Sequence, residues 1–319
     1  MQADSHRPVR LKPITGSRSR VRIAAPTVQA EAAARVLGAV CPSVDVDLVT
    51  ADDASAPLLW CPTADGALLG ENGPERVTHV RALHPCLRAT VRNLNVVLVA
   101  ARQGDDGLAT ATFACRYARR MQRRRVTVLQ PPTATGAPAW QAALTARFPD
   151  LVVDWMPLAH TVGQLAASRA DFDVLVVPAE SHGIVAAVAT GLSGAPQLVT
   201  SAAPGTDGVA LSAGADTIGS AQAGGLEALL LGSARLLSLT GYTAASMNLA
   251  DAVLKTLEDG LHTPALALIN PYTRRVDDAA VAGAVIDRLG GRPARLEPAS
   301  RSAAAAKPRR PVLEVVRSA

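Results

Sequence analysis

Aromatic residues are scarce in this sequence, with three each of tryptophan, tyrosine and phenylalanine among 319 residues. Nearly half of the residues are nonetheless hydrophobic, so alanine and valine have to fill the core, and we expect dense packing of small side chains. No hydrophobic run reaches the length needed to span a membrane. A chain of this length can bury a large core, as one big domain or two modest ones.

Cysteines are also few, and they are not grouped. Cys41, Cys61, Cys86 and Cys115 form no C-x-x-C motif, which argues against a structural metal site or a disulfide framework. We interpret them as buried free thiols in a reducing compartment.

Acidic residues are slightly outnumbered, since 32 Lys and Arg against 27 Asp and Glu give a net charge of +5. This mild excess favours a solvated basic face over a nucleic-acid-binding surface. Five arginines lie close together at the end of a predicted helix: Arg119, Arg120, Arg123, Arg124 and Arg125. Cations at a helix C-terminus suit the helix dipole, an interpretation that we prefer to RNA binding.

Both ends of the chain are basic and lack a periodic apolar face. Residues 1–20 contain five Lys or Arg and a single Asp, a composition that fits either a mitochondrial transit segment or a disordered basic arm. Residues 291–319 are rich in Arg, Pro and Ala, and are predicted to be a tail that needs a partner to be ordered.

A strand, a turn and a helix are predicted within Asp171–Val199. Val174–Val177 is an apolar run typical of a strand buried on both faces. Pro178 ends that strand, and a helix is predicted from near Ser181 to Gly191. A loop between such a strand and its helix lies where open α/β sheets keep their sites.

Similar patterns predict the other elements. Strands are expected at Val21–Ala25, Val44–Val49, Val96–Ala101 and Val126–Gln130. Helices are expected at Gln29–Val40, Thr110–Arg119, Trp140–Phe148, Leu226–Leu239, Asn248–Gly260 and Val276–Leu289. Leu58–Gly73 is rich in turn residues and is predicted to be irregular.

The central unit resembles the metal-binding turn of the isocitrate and isopropylmalate dehydrogenase family, the β-decarboxylating dehydrogenases. The family patterns F-D-V-x-V-x-P-N-L-Y-G-D-I-x-x-D and A-G-L-x-G-G-P-G-L-V align without a gap on Phe172, Asp173, Val174, Val176, Pro178, Ile184, Gly191, Leu192, Gly194, Pro196, Leu198 and Val199. The helix at Thr110–Arg119 resembles I-A-x-F-A-F-E-Y-A-R, and Leu257–Pro264 resembles L-E-E-G-x-x-T-P. The likeness is greatest to mitochondrial NAD-dependent isocitrate dehydrogenase subunits.

The resemblance implies an α/β fold with a doubly wound sheet and a second, smaller α/β domain. It implies a basic arm at 1–20, an outer domain at 21–94 and 205–290, a middle domain with partner-facing helices at 95–204, and a tail at 291–319. In the family an arm that crosses to the other subunit precedes the helix equivalent to Thr110–Arg119. Here that helix begins at once, so the arm is expected to be missing.

The same resemblance implies that the catalytic groups of the family are lost. The positions of its three metal-binding carboxylates, its catalytic tyrosine and its proton-transfer lysine fall on Gly183, Ala187, Ala159, Ala109 and Pro131, respectively. Without carboxylates a divalent cation is not held, and without the tyrosine and lysine the general acid–base groups are missing. We therefore expect no metal, no cofactor and no dehydrogenase activity.

Two further features bear on ligands. Ile218–Ala221 resembles the adenine loop H-G-S-A of the family, but the histidine is replaced and the following segment is shortened, so a cofactor pocket is expected to be incomplete. His160 and His182 lie near the former metal site, although two histidines without carboxylates are poor ligands for a replacement metal.

Three arginines fall on family positions that grip substrate carboxylates: Arg81, Arg92 and Arg102. Guanidinium groups match carboxylates in geometry, so these residues are candidates for a vestigial tricarboxylate site. The alternative is that they are surface arginines that happen to align.

The leading hypothesis is a catalytically inactive isocitrate dehydrogenase-like protein that acts as a structural or accessory subunit of a larger assembly on the matrix side of mitochondria, such as a respiratory-chain complex. The alternative is a regulatory subunit that pairs with a catalytic dehydrogenase homologue and binds citrate or isocitrate through the arginines. A third hypothesis is an enzyme with different chemistry.

Overall fold

The computed structural model describes residues 19–50, 58–61, 73–82, 94–104, 107–130, 138–167, 172–205, 208–213, 225–239, 241–266 and 273–291. The predicted basic arm, most of the predicted tail, Arg92, Pro131 and Ile218–Ala221 lie outside these residues. No helix within the described ranges is long and apolar enough to cross a membrane.

The strands in chain order are β1 (Ser19–Ala25), β2 (Val44–Thr50), β3 (Leu58–Cys61), β4 (Arg76–Arg81), β5 (Asn95–Ala100), β6 (Arg125–Gln130), β7 (Val152–Pro157), β8 (Val174–Val177), β9 (Thr200–Gly205), β10 (Gly208–Ala213), β11 (Leu261–His262) and β12 (Arg274–Arg275). The α-helices are α1 (Thr27–Val40), α2 (Leu108–Arg120), α3 (Gln141–Arg147), α4 (Leu158–Ala166), α5 (Ala179–Ser193), α6 (Leu226–Leu239), α7 (Thr243–Glu258) and α8 (Asp278–Leu289).

One sheet of ten strands runs through the described part of the chain, in the order β2-β1-β3-β10-β9-β4-β5-β8-β6-β7. Its two flanks are parallel: β1 pairs with β2, and β5, β8, β6 and β7 run in one direction. The strands between the flanks are antiparallel. The α/β class is therefore confirmed, but the centre of the sheet is antiparallel, unlike a wholly parallel doubly wound sheet.

Alternate residues of the central strands pack on opposite faces of the sheet, as the pleat requires. Val97, Val99, Val174 and Val176 belong to a hydrophobic cluster shared with α2 and α6. Their neighbours Val96, Leu98, Leu175 and Val177 belong to a second cluster shared with α5. Burial on both faces explains why these strands are continuous runs of apolar residues.

Most predicted elements are confirmed, several to within two residues at each end. The strand Val174–Val177 and the helix Leu226–Leu239 have the predicted bounds. The prediction of an irregular segment at Leu58–Gly73 was wrong at its start, because Leu58–Cys61 is a strand held between β1 and β10. Short strands of this kind form through pairing partners distant in sequence, which local patterns do not reveal.

Two of the cysteines can be placed. Cys41 and Cys115 are buried free thiols, as predicted for these two residues. Burial raises the pKa of the Cys115 thiol to about 11, so it stays protonated and unreactive near neutral pH.

Candidate functional site

The best match to the family motif lies at the junction between β8 and α5. All four residues of β8 are buried between β5 and β6. Pro178 caps the helix with an extended backbone, and a proline at this position adds no further unpaired N–H to the helix start. Gly194 ends the helix at φ 70°, a conformation that glycine adopts without strain. The junction is therefore at the carboxyl edge of the parallel strands, where α/β folds place ligands.

The three positions matched to metal-binding carboxylates lie on two neighbouring helices. Gly183 and Ala187 are four residues apart on α5 and so share one helical face. Ala159 is exposed on α4, which packs beside α5. A Cβ added at Gly183 would meet nothing within 4 Å, so there is room for a larger side chain. None of the three residues carries a metal-binding atom, and they do not fit a divalent cation.

The two nearby histidines lie in different surroundings. His160 is exposed on α4, where its Nε2 atom lies 2.6 Å from Gln164 Nε2, one turn away. His182 is buried in the first turn of α5. Among the described residues, no group of three or more His, Cys, Asp or Glu is arranged to hold a metal ion.

A small hydroxyl network joins α5 to the sheet. Thr78 Oγ1 lies 2.9 Å from Ser201 Oγ and 3.4 Å from His182 Nε2, and all three residues are buried. Burial, together with the positive charge of Arg76, lowers the pKa of His182 to about 4. The imidazole is therefore neutral near pH 7, and the network fastens α5 to β4 and β9 without exposing a nucleophile to solvent.

The position matched to the catalytic tyrosine, Ala109, is the second residue of α2 and is exposed. Gly107 caps this helix at φ 84°, which favours glycine. The helix thus starts two residues earlier than predicted, and the position of the lost tyrosine is already helical.

The structure does not bring Arg81 and Arg102 together. Arg81 pairs with Asn95 at the start of β5, whereas Arg102 follows the other end of β5 and donates from Nε to the Gly73 carbonyl at 2.8 Å. At about 3.3 Å per strand residue, roughly 20 Å separate the two arginines along the sheet. The predicted tricarboxylate site therefore cannot include both, and Arg92 lies outside the described residues.

The chain was compared with proteins of known structure. The chain matches an isocitrate dehydrogenase from Methylococcus capsulatus with a TM-score of 0.59 at 19% identity, covering 82% of this chain and 95% of that one. The chain has an isocitrate dehydrogenase-like fold. It also matches the TT0538 protein from Thermus thermophilus with a TM-score of 0.58 at 17% identity, covering 83% of this chain and 66% of that one. Neither a protein-family model nor a curated protein matches the chain.

Within this isocitrate dehydrogenase-like fold, sequence reasoning missed several buried polar residues. Thr78 and Ser201 gave no signal, because hydroxyl residues are common in strands. Arg235 did give one, since it is the only basic residue of α6, whose sequence is otherwise almost entirely apolar. A lone arginine on a helix that must be buried requires a partner or a ligand.

Proposed function

We propose that this protein is a catalytically inactive isocitrate dehydrogenase-like protein that serves as a structural or accessory subunit of a larger mitochondrial assembly. The observation that carries the proposal is the chemistry of three positions on α4 and α5, of which Ala159 and Gly183 are exposed and Ala187 is half-buried. Gly183, Ala187 and Ala159, which match the metal-binding carboxylates of the family, are instead small and apolar.

The same surface also exposes a large apolar side chain. Ile184 lies next to Gly183 on α5 and is 64% exposed. Exposed apolar residues that cluster on a surface favour contact with another protein, and charged residues are depleted from the cores of such interfaces. The loss of carboxylates beside an exposed apolar side chain is what we expect of a surface that contacts another protein instead of binding a metal ion.

The proposal is tested by gentle native purification of the tagged protein from mitochondria, followed by mass spectrometry and an assay of isocitrate-dependent NAD reduction on the same fraction. We expect the protein in a large complex, without such activity from this chain. Activity of the purified chain with magnesium would overturn the proposal. Co-purification with a catalytic dehydrogenase whose rate responds to citrate would favour a regulatory subunit instead.

A pair of variants tests the surface itself. Ile184→Asp places a charge in the proposed interface and is expected to release the protein from its complex, because a buried unpaired charge is costly. Val28→Asp is the matched control, since Val28 is 63% exposed on α1, away from α4 and α5. Equal retention of both variants in the complex would argue against this surface as the interface.

A further inference from the structure

Arginines are concentrated where the parallel strands β6 and β7 begin. Helix α2 ends just before β6, and helix α3 ends just before β7. The ends of both helices therefore lie at the amino edge of these strands, opposite to the carboxyl edge that holds the junction between β8 and α5. The arginines with exposed side chains in this region are Arg116, Arg119, Arg124 and Arg147.

Three of these arginines are brought together around Phe148 and Asp150. The guanidinium groups of Arg119 and Arg147 lie 4.6 and 5.7 Å from the centroid of the buried Phe148 ring. Arg119 Nε also donates to the two carboxylate oxygens of Asp150, at 3.0 and 2.8 Å. This hydrogen bond lowers the pKa of Asp150, so the carboxylate stays charged at neutral pH. Arg116 precedes Arg119 by three residues on α2 and so lies on the same face of the helix.

An exposed apolar side chain lies beside these arginines. The backbone N–H of Val152 donates to the carbonyl of Arg124 at 2.9 Å, and Val152 is 49% exposed. It follows Asp150 by two residues along the chain. These residues form one continuous exposed surface, which we call the basic edge and define as Arg116, Arg119, Arg124, Arg147, Asp150 and Val152.

The basic edge has an excess of positive charge. Asp150 is its single carboxylate and is bound by Arg119. The side chains of Arg116, Arg124 and Arg147 form no ion pair with any residue in the described ranges. The dipoles of α2 and α3 favour cations in their last turns, but Arg116 lies before the last turn of α2 and Arg124 lies beyond it. Three guanidinium groups are therefore available to an anionic partner.

We propose that the basic edge binds an acidic segment of a partner protein. Arginine is enriched at protein interfaces, where it accompanies apolar contacts such as Val152 could make. The packing of Arg119 and Arg147 on Phe148 holds their side chains in place, which reduces the entropy lost on binding.

Two other anionic partners fit the basic edge less well. The carboxylate of Asp150 would repel the phosphates of a nucleic acid or of an anionic membrane. Proteins that bind single strands also stack the bases on aromatic side chains, and the basic edge exposes none. A contact with an acidic protein rests on the proposed role as a subunit, yet it is measured on the purified chain, so that either can fail without the other.

The basic edge is tested by fluorescence anisotropy of a labelled peptide of glutamate and alanine. The peptide is titrated with the purified full-length protein at low ionic strength, because salt screens such contacts. We expect a dissociation constant below about 100 μM. The double variant Arg116→Gln/Arg147→Gln should bind about tenfold more weakly, since it removes two exposed charges and leaves the pair of Arg119 with Asp150 in place.

The matched control is Arg35→Gln/Arg275→Gln, which removes the same charge from exposed positions on α1 and β12. Its affinity should stay within about twofold of the wild-type value. Both double variants should melt at the wild-type temperature, because exposed substitutions have little effect on stability. A dissociation constant above the expected limit would overturn the proposal. So would a loss in Arg116→Gln/Arg147→Gln no greater than in the control, because binding would then reflect overall charge.

Single-stranded RNA and vesicles of phosphatidylcholine and phosphatidylglycerol are titrated in parallel to separate the kinds of anionic partner. We expect both to bind more weakly than the acidic peptide. If either binds more tightly than the peptide and loses affinity in Arg116→Gln/Arg147→Gln, the basic edge is a phosphate-binding surface and the proposal is wrong.

Discussion

Two buried charged residues on helix α6, Glu227 and Arg235, differ in how fully their polar atoms are hydrogen-bonded. Glu227 lies in the first turn and is 1% exposed, and Arg235 lies eight residues later and is also buried. Both oxygens of Glu227 are occupied, since they accept from the Thr263 N–H at 2.5 Å and from the Thr263 hydroxyl at 2.7 Å. Arg235 donates to the Tyr117 hydroxyl, whereas its Nε finds no acceptor within the part of the chain that the structure describes.

The difference separates a buried charge whose acceptor atoms are satisfied from a buried charge that keeps an unsatisfied donor. Burial raises the pKa of Glu227 although the Thr263 donors oppose the rise, so even a well-bonded carboxylate resists being buried. Arg235 experiences the same desolvation without a carboxylate nearby in the described residues. A charge left in this condition lowers stability unless binding compensates for it.

The largest expected effect is from Glu227→Ala. The change leaves the N–H and hydroxyl of Thr263 without their acceptors and opens a cavity, so we expect the free energy of unfolding to fall by about 3 kcal/mol. Urea unfolding measures it. Glu227→Gln keeps one acceptor oxygen and the shape of the side chain, so its free energy of unfolding should fall by less. A midpoint for Glu227→Ala equal to that of the wild type would show that the pair with Thr263 contributes nothing.

The next effect is expected from Gly225→Ala, beside the same pair. A Cβ at Gly225 would lie 2.7 Å from both Ala265 Cβ and Thr263 Oγ1, so the loop or the Glu227 pair has to shift, at a cost of about 2 kcal/mol. Gly183→Ala is the control, since its Cβ meets nothing within 4 Å. Replacing a glycine inside a helix by alanine should raise the free energy of unfolding by about 0.5 kcal/mol. Thermal melts compare the two variants, and equal melting temperatures would contradict the prediction.

Arg235→Met tests the other buried charge, and its expected effect on the free energy of unfolding has the opposite sign. The variant removes a buried charge that contacts no carboxylate among the described residues, and Met keeps the unbranched stem of the side chain, so the variant should be more stable by about 1 kcal/mol. Chemical unfolding with the wild type in parallel measures this. A clear loss of stability would mean that Arg235 is a structural residue and would remove the contrast with Glu227.

The smallest effect is expected in the response to acid. The folded protein keeps His79 neutral, whereas the unfolded chain protonates it near its ordinary pKa of 6.5. Stability from this residue is therefore present above that pH and is lost as the pH falls below it. Arg235→Met removes one of the two cations that repel the imidazolium, so the pKa of His79 in the folded variant should lie closer to its ordinary value than in the wild type. An NMR titration of the imidazole protons compares the two proteins, and identical pKa values would show that the charge of Arg235 contributes nothing beside burial.

Much of the local structure could be predicted from the sequence. The apolar run of β8 and the proline after it identified the strand and the start of α5, and the broad apolar pattern of Leu226–Leu239 identified α6. The positions Gly183 and Ala187 could also be placed on one helical face, because their spacing matches one turn. These inferences depend only on neighbours in the chain.

The positions of Arg81 and Arg102 could not be predicted from neighbours in the chain. Arg81 and Arg102 align with a shared substrate site, but the antiparallel register of β4 and β5 puts them at opposite ends of the strands. Register is set by the face that each strand buries and by its partners, which a motif does not contain. The same register places Arg81 opposite Asn95, whose oxygens accept from Arg123, a residue that is distant in sequence from both.

The sequence by itself determined most of the helices, several buried strands and the absence of metal-binding side chains at Gly183, Ala187 and Ala159, because each depends on residue type and local spacing. Only the tertiary structure decided which polar residues meet. It paired Glu227 with Thr263 and left Arg235 beside Tyr117, with no carboxylate from the described residues in contact. The physical reason is that such contacts form when elements far apart in the chain bury their apolar faces together, so their geometry belongs to the whole fold.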